Sequence, residues 1–254
     1  MNYIVYDLEF NHEHHEKNEN IIPSKCPFEI IQIGALKLDE NLNTIESFNK
    51  LVKPKLYTTL HPYVQSLTNI TIEMLNEASS FKDVYDAFSK FICGEKNVLC
   101  VWGLTDIKEI IRNAEFHNLS TSIIPKQYIN IQQYASKYLK YSKGASIGLK
   151  NAVELFNIPI KLDFHDAFND AYYTSEIFKN IYNPEMKPLY YTANKYTRER
   201  KLKAKFDSIS LITQFEKMFN RKMTPEEKSI IRLAYMMGRT NQFQIYENKK
   251  NDDN

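Results

Sequence analysis

Apolar positions change rhythm along this chain. Residues 2–10 (NYIVYDLEF) form a dense apolar run rich in aromatic and β-branched side chains, which predicts a buried strand. Residues 29–38 (EIIQIGALKL) and 44–52 predict two more, separated by a turn-like 39–43 and closed by Pro54. The three read as an antiparallel meander, with polar residues 11–27 looping between the first two. Beyond residue 70 the period becomes helical. Phe81, Val84, Tyr85, Phe88 and Phe91 line one face of a helix predicted over 81–92. Ile107, Ile110, Ile111 and Ala114 do the same over 105–116. Short apolar stretches at 97–102 and 128–131 predict strands among these helices. Further helices are predicted at 71–76, 132–139, 147–156 and 166–182, the last ended by Asn183-Pro184.

Three strands followed by alternating helices and strands predict an α/β fold, a mixed sheet with helices packed on it. A boundary is expected near Pro184, leaving a body of residues 1–184 and a small helical C-terminal extension, 185–254. In the extension, 208–219 and 224–237 read as amphipathic helices, and 248–254 is expected to fray. Thr224-Pro225-Glu226-Glu227 is a helix start, with Thr as cap, Pro at the first position and Glu at the third.

Charge changes this picture more than composition does. Segment 185–254 holds 15 Lys and Arg against 9 Asp and Glu, a net +6 that leaves −4 on the body out of a total of +2. An acidic body with a basic tail suits an anionic partner gripped away from an acidic centre, although solvated basic helices give the same count. Lys195, Arg198, Lys201 and Lys205 are the expected backbone-binding cations, interleaved with Tyr190, Tyr191 and Tyr196. If helical, Arg198, Lys201 and Lys205 share a stripe. No apolar run approaches the ~18 residues of a membrane span, and Asp7 and Glu9 break the first run, so neither a membrane segment nor a signal peptide is expected. Cys26, Cys93 and Cys100 form no Cys-x-x-Cys pair, which argues for a reducing, cytoplasmic setting and against a cysteine-rich zinc site. His12-Glu13-His14-His15-Glu16 invites a metal reading, but its spacing fits no closed zinc site, and a loop near a substrate mouth is the expectation.

The candidate chemistry begins with Asp7 and Glu9. Two apart on a strand, they point to one face. Two carboxylates there repel each other and lose hydration unless cations compensate, and hard divalent cations want oxygen ligands. Solvated acids on an edge strand, or acids paired to Lys or Arg, would explain the same spacing. Asp106 follows the strand at 97–102 and Gly103, in the first turn of the next helix, where ligands gather in α/β sheets and where the helix dipole also favours Asp. His165 and Asp170 are five apart, so they cannot face one point from within a single helix. His165 is placed in the loop before the helix and Asp170 on its first turns.

Taken together, Asp7-x-Glu9, Asp106 after Val101-Trp102-Gly103, and His165-x4-Asp170 resemble the DEDDh branch of the DEDD 3′–5′ exonuclease superfamily. Tyr6-Asp7-Leu8-Glu9-Phe10 is similar to the Eri-type and sporulation-inhibitor-like members. Glu29 to Ala35, Leu67-Thr68-Asn69-Ile70-Thr71 and Gly148-Leu149-Lys150 before Ile158-Pro159 also resemble them, so the likeness covers residues 1–182. It implies a ribonuclease H-like mixed five-stranded sheet flanked by helices. It also implies two divalent metal ions, Mg²⁺ or Mn²⁺, held by Asp7, Glu9, Asp106 and Asp170, with His165 as general base. The implied reaction is 3′–5′ hydrolysis of single-stranded nucleic acid, RNA ahead of DNA, to 5′-mononucleotides. An imidazole, with an ordinary pKa of about 6.5, suits proton abstraction from water near neutral pH. A nucleotide phosphohydrolase, or a catalytically silent nucleic-acid-binding or regulatory module, is the alternative on the same fold. One departure is Phe10, where many relatives have Thr or Ser. Phe10 and Trp102 are expected substrate-binding residues, although period two turns Phe10 opposite Glu9, toward the core.

Overall fold

The structure is a computed structural model that describes residues 1–12, 25–94, 96–141, 146–192 and 207–239. Its sheet has seven strands among the described residues. Strands β1 (Asn2–Asn11), β2 (Glu29–Leu38) and β3 (Thr44–Lys53) form the expected antiparallel meander. Strand β5 (Asn97–Val101) lies parallel to β1, and β6 (Gln127–Asn130) parallel to β5. These are the five strands of the expected mixed sheet. Two-residue ribbons extend it at the edges: β4 (Ser79–Ser80) beside β3 and β7 (Leu189–Tyr190) beside β6.

Helices cover both faces. Strand β1 alternates, with Ile4, Tyr6 and Leu8 entering one core and Tyr3 and Val5 the other. The first core is closed by α3 (Phe81–Ile92) and α4 (Thr105–Phe116), through Phe88, Phe91, Ile107 and Ile110. The second is closed by α5 (Ile131–Tyr138), α6 (Leu149–Leu155) and α7 (Ala167–Ile181), through Ala135, Val153, Tyr173 and Phe178. A smaller cluster of Ile31, Val64, Ile70 and Leu75 seats α1 (Pro62–Thr68) and α2 (Ile72–Glu77).

The chain divides into two compact units, Met1–Ala193 and Asn194–Asn254. The first runs nine residues beyond the boundary expected at Pro184, because β7 pairs with β6 and Tyr191 donates its N–H to Lys126 O at 2.8 Å. In the second, α8 (Ser208–Met218) is followed by α9 (Pro225–Arg239). The reciprocal cap forms: Thr224 Oγ1 accepts from Glu227 N at 3.2 Å, and Glu227 Oε2 accepts from Thr224 N at 2.8 Å. Arg221 pairs with Glu227 at 2.6 Å, and Ile212 and Met223 are buried. Among the described residues, no helix is long and apolar enough to cross a membrane.

Candidate active site

The alternation of β1 changes chemistry partway along one face. Tyr3 and Val5 bury apolar rings and methyls there, and Asp7 and Glu9 continue the same face with carboxylates. Strands β1 and β5 run parallel, so their C-terminal ends meet at one edge of the sheet, and Asp106 stands there in the first turn of α4. Helix α7 brings Asp170 to the same place, and Gly34 is the reason it can. Gly34 pairs with Asp7 across β1 and β2, and a Cβ at that position would overlap the backbone of Ala167 and Phe168. Without one, the first turn of α7 rests directly on the sheet beside Asp7.

Two polar side chains lock that contact. Gln32 donates from Nε2 to Asp166 Oδ2 at 2.8 Å, and its Oε1 accepts from Ala167 N at 3.1 Å. Asp166 caps α7, accepting through Oδ1 from the N–H groups of Phe168 and Asn169 at 3.0 Å each. His165 precedes this cap in a left-handed conformation with φ of 65°, a strained backbone of the kind that clusters at functional sites. Its N–H donates to Asp170 Oδ2 at 3.3 Å, and its side chain is exposed. Across the site, Asn113 pins α4 to the start of β2. It accepts from Ile30 N at 3.1 Å and donates to Phe28 O at 2.9 Å. Asn11 continues β1 past Glu9 and, fully buried, holds the 57–61 segment through Tyr57 O, Thr59 O and His61 N.

The four carboxylates are electrostatically uncomfortable together. Burial foremost, then Asp106, Asp170, Glu9 and Asp166, holds the Asp7 carboxyl well above its ordinary range. Burial, then Asp170, Asp106 and Asp166, pushes Glu9 up to about 8. Asp106 and Asp170 rise to about 7, each by burial first, and for Asp170 against the N–H of His165. Among the described residues no Lys or Arg pairs with any of the four. Asp170 Oδ1 is buried without a hydrogen-bond partner among the described residues. Acids grouped this way are costly unless cations enter. Ligand atoms of Glu9, His165 and Asp170 lie within 4.8 Å of one another, a set that fits a divalent cation. Asp7 and Asp106 fall outside that triad but press on it electrostatically. A cleft of about 440 Å³ opens beside the site, lined by Gln32, Asn49, Thr68, Asn69, Asp166 and Asn169 among others.

Two other residues expected to bind substrate, Phe10 and Trp102, pack against the two cores. Phe10 follows an irregularity in the β1–β2 register and packs against the α3–α4 core beside Phe28, ring centroids 6.1 Å apart, on the face away from Asp7. Trp102 packs against the α7-side core, its indole N–H buried and without a partner among the described residues. Lys195, Arg198, Lys201 and Lys205, and the loop from Glu13 to Glu16, lie outside the described residues. Motif and spacing do not single out Asn11, Gln32, Asn113 and Asp166. For the amides, the available signal was a polar group inside an apolar strand or on an apolar helix, a costly placement unless it makes hydrogen bonds.

A family model described as an exonuclease, RNase_T, matches residues 4–178. The chain is 23% identical over 155 residues to the probable 3′-5′ exonuclease KapD of Bacillus subtilis (strain 168), covering 60% of this chain and 73% of that protein. It is 25% identical over 172 residues to the 3′-5′ exonuclease crn-4 of Caenorhabditis elegans, covering 62% of this chain and 57% of that protein. Among solved structures, the nuclease domain of 3′hExo, a DEDDh family member bound to rAMP, superposes with a TM-score of 0.60 at 21% identity. That match covers 70% of this chain and 90% of that one, and it establishes the shared fold.

Proposed function

This chain belongs to the RNase_T exonuclease family, DEDDh-type 3′–5′ exonucleases on a ribonuclease H-like fold, and from that premise we propose a two-metal enzyme that removes 5′-mononucleotides from the 3′ end of single-stranded RNA. The observation that carries the proposal is the cluster of four carboxylates, each raised by burial and paired with no Lys or Arg among the described residues.

Asp7, Glu9, Asp106 and Asp170 would hold the two ions, and their −4 charge matches two divalent cations. Bound there, Mg²⁺ or Mn²⁺ supplies charge compensation for an in-line phosphoryl displacement. His165, on its exposed turn, takes a proton from the attacking water at a ring nitrogen. Its nearness to Glu9 and Asp170 also suits a ligand role, and His165→Ala separates the two by its effect on metal affinity. Gln32 and Asp166 hold the start of α7, so Asp170 and His165 keep their places as charge moves. The cleft beside Asp166 is the place proposed for the terminal nucleotide.

RNA is proposed on the likeness of Tyr6–Phe10 to Eri-type enzymes and on the ribonucleotide in the 3′hExo nuclease domain. The test is hydrolysis of matched RNA and DNA strands by the full chain with Mg²⁺ or Mn²⁺. Faster turnover of RNA is expected. Equal or faster turnover of DNA would overturn the substrate assignment.

A further inference from the structure

Lysine is spread unevenly over the acidic body. Residues 126–162 hold six lysines, no arginine and one acid, Glu154, a net +5 inside a body of net −4. Helix α5 starts at the edge where the carboxylates gather, because Asn130 at the end of β6 is level with Val101 at the end of β5. A Cβ on Gly103, three residues before Asp106, would lie 3.4 Å from Gln132 Oε1 on the first turn of α5. Gln132 Nε2 donates to Ile147 O at 2.8 Å and Ile147 N donates to Ser136 Oγ at 3.2 Å, which ties the approach to α6 against the first two turns of α5. From that edge Tyr134, Lys137 and Tyr138 share one face of α5. Lys137 Nζ lies over the Tyr134 ring, 5.8 Å from its centroid. Tyr138 is 65% exposed, its ring centroid 5.5 Å from that of Phe156 behind α6. The helix closes with Tyr141 N donating to Ser136 O at 2.9 Å and with Lys140 left-handed at φ 51°, where glycine is usual, leaving Lys140 and Tyr141 exposed at its end. Lys150 is exposed on the first turn of α6. Lys137, Lys140 and Lys150 pair with no carboxylate among the described residues.

We propose that this α5–α6 face carries the single strand upstream of the nucleotide being cut, with Lys137, Lys140 and Lys150 on its phosphates and Tyr138 stacked on a base. The proposal rests on the nuclease reading of the site. Charge and rings choose the occupant together. Unpaired lysines attract a polyanion, and an exposed ring between them offers a stacking surface that any base can use. Continuity with the carboxylates makes that polyanion the substrate strand itself, since α5 begins at their edge of the sheet. The eight residues of α5 span about 12 Å, so Tyr138 and Lys140 meet the strand well away from the scissile bond. The face also answers an electrostatic difficulty: an acidic centre repels an approaching phosphate backbone, and a lysine surface beside it draws the strand in.

The test reads binding of a long labelled single-stranded RNA and of a trinucleotide by fluorescence anisotropy in Mg²⁺ over a salt series. The full chain carries Asp7→Ala to prevent cutting, and is compared with the same chain bearing Lys137→Ala, Lys140→Ala and Lys150→Ala together, or Tyr138→Ala alone. Lys82→Ala with Lys90→Ala, two exposed lysines of α3 on the other face of the sheet, is the control. Each phosphate contact on a single strand contributes about 0.7 to the slope of log affinity against log salt, so losing three lowers the slope by about 2. The triple variant is expected to bind the long RNA about 20-fold more weakly at about 50 mM salt and close to its background at about 200 mM. The trinucleotide should lose much less. Tyr138→Ala is expected to bind the long RNA about 5- to 150-fold more weakly with the slope unchanged, the loss of one stacked base. Lys→Gln at the same three positions keeps most of each side chain and should reproduce the change in slope. An unchanged slope in both triple variants would overturn the proposal, as would an equal fall in the α3 control or an equal loss on the trinucleotide. If the parent does not shorten RNA in Mg²⁺, the nuclease reading fails; if it does and the triple variants keep their slope, only this surface fails.

Discussion

Glu9→Gln should stabilise this protein at alkaline pH without metal and weaken it with metal. Glu9 titrates at about 8 in the fold, against an ordinary 4.5, through burial and then Asp170, Asp106 and Asp166. A raised carboxyl pKa means the folded state holds its proton more tightly than the unfolded state. Stability contributed by that proton is present below about pH 4.5 and is lost as pH rises toward 8. A tenfold difference in proton affinity between the two states is worth about 1.36 kcal/mol, so Glu9 alone costs on the order of 5 kcal/mol at the end of that range. Asp106 and Asp170, both raised to about 7, add to the same slope. Gln is nearly isosteric and carries no charge. In EDTA the variant should match the parent near pH 5 and exceed it by several kcal/mol near pH 8.5. With saturating Mg²⁺ the order reverses, because stabilisation by a ligand grows with its affinity for the folded state and Gln gives the cation a poorer site. Urea unfolding followed by circular dichroism at both pH values, with EDTA or Mg²⁺, reads all four conditions. Parallel pH dependence of parent and variant in EDTA would refute the electrostatic reasoning.

Two further substitutions probe the scaffold and the base. His165→Ala should lose about two to four orders of magnitude in rate, flatten the acidic limb of the pH–rate profile and keep its Mg²⁺ affinity; loss of metal binding would instead make His165 a ligand. Gly34→Ala should destabilise the fold by about 1–3 kcal/mol and slow turnover, because the added methyl displaces the start of α7 and with it Asp170 and His165. Unchanged melting and rate would mean α7 does not depend on that contact.

Strong periodicity was legible residue by residue. The helices predicted over 81–92 and 105–116 have those bounds in the structure. Helix α1 was not legible: it has seven residues, and its signal is a capping His61 and a Pro at its start rather than a stripe. The ribbons β4 and β7 are two residues each, too short for any period, and β7 is what moves the unit boundary to Ala193. Asp7 and Glu9 stood out because acids interrupt an apolar strand. Asp106 and Asp170 look ordinary in sequence, since helix starts favour acids, and only the resemblance singled them out. The supports were hidden for a different reason. Gln32 meets Asp166 across a sequence separation of 134, and Asn113 meets Ile30 across 83, so only the tertiary fold makes them partners.

Cutting from a free 3′ end, with metal held by the four carboxylates, can be tested in one experiment. A 5′-labelled single strand ending in a 3′-hydroxyl, and the same strand ending in a 3′-phosphate, should be incubated with the full chain in Mg²⁺, in EDTA, and with Asp7→Ala in place of the parent. Stepwise shortening of the 3′-hydroxyl strand in Mg²⁺ with release of 5′-mononucleotides is predicted, together with marked slowing on the blocked strand and no cleavage in EDTA or by folded Asp7→Ala. Products bearing 3′-phosphates, cleavage of circular strands, or near-parental turnover by folded Asp7→Ala would contradict it.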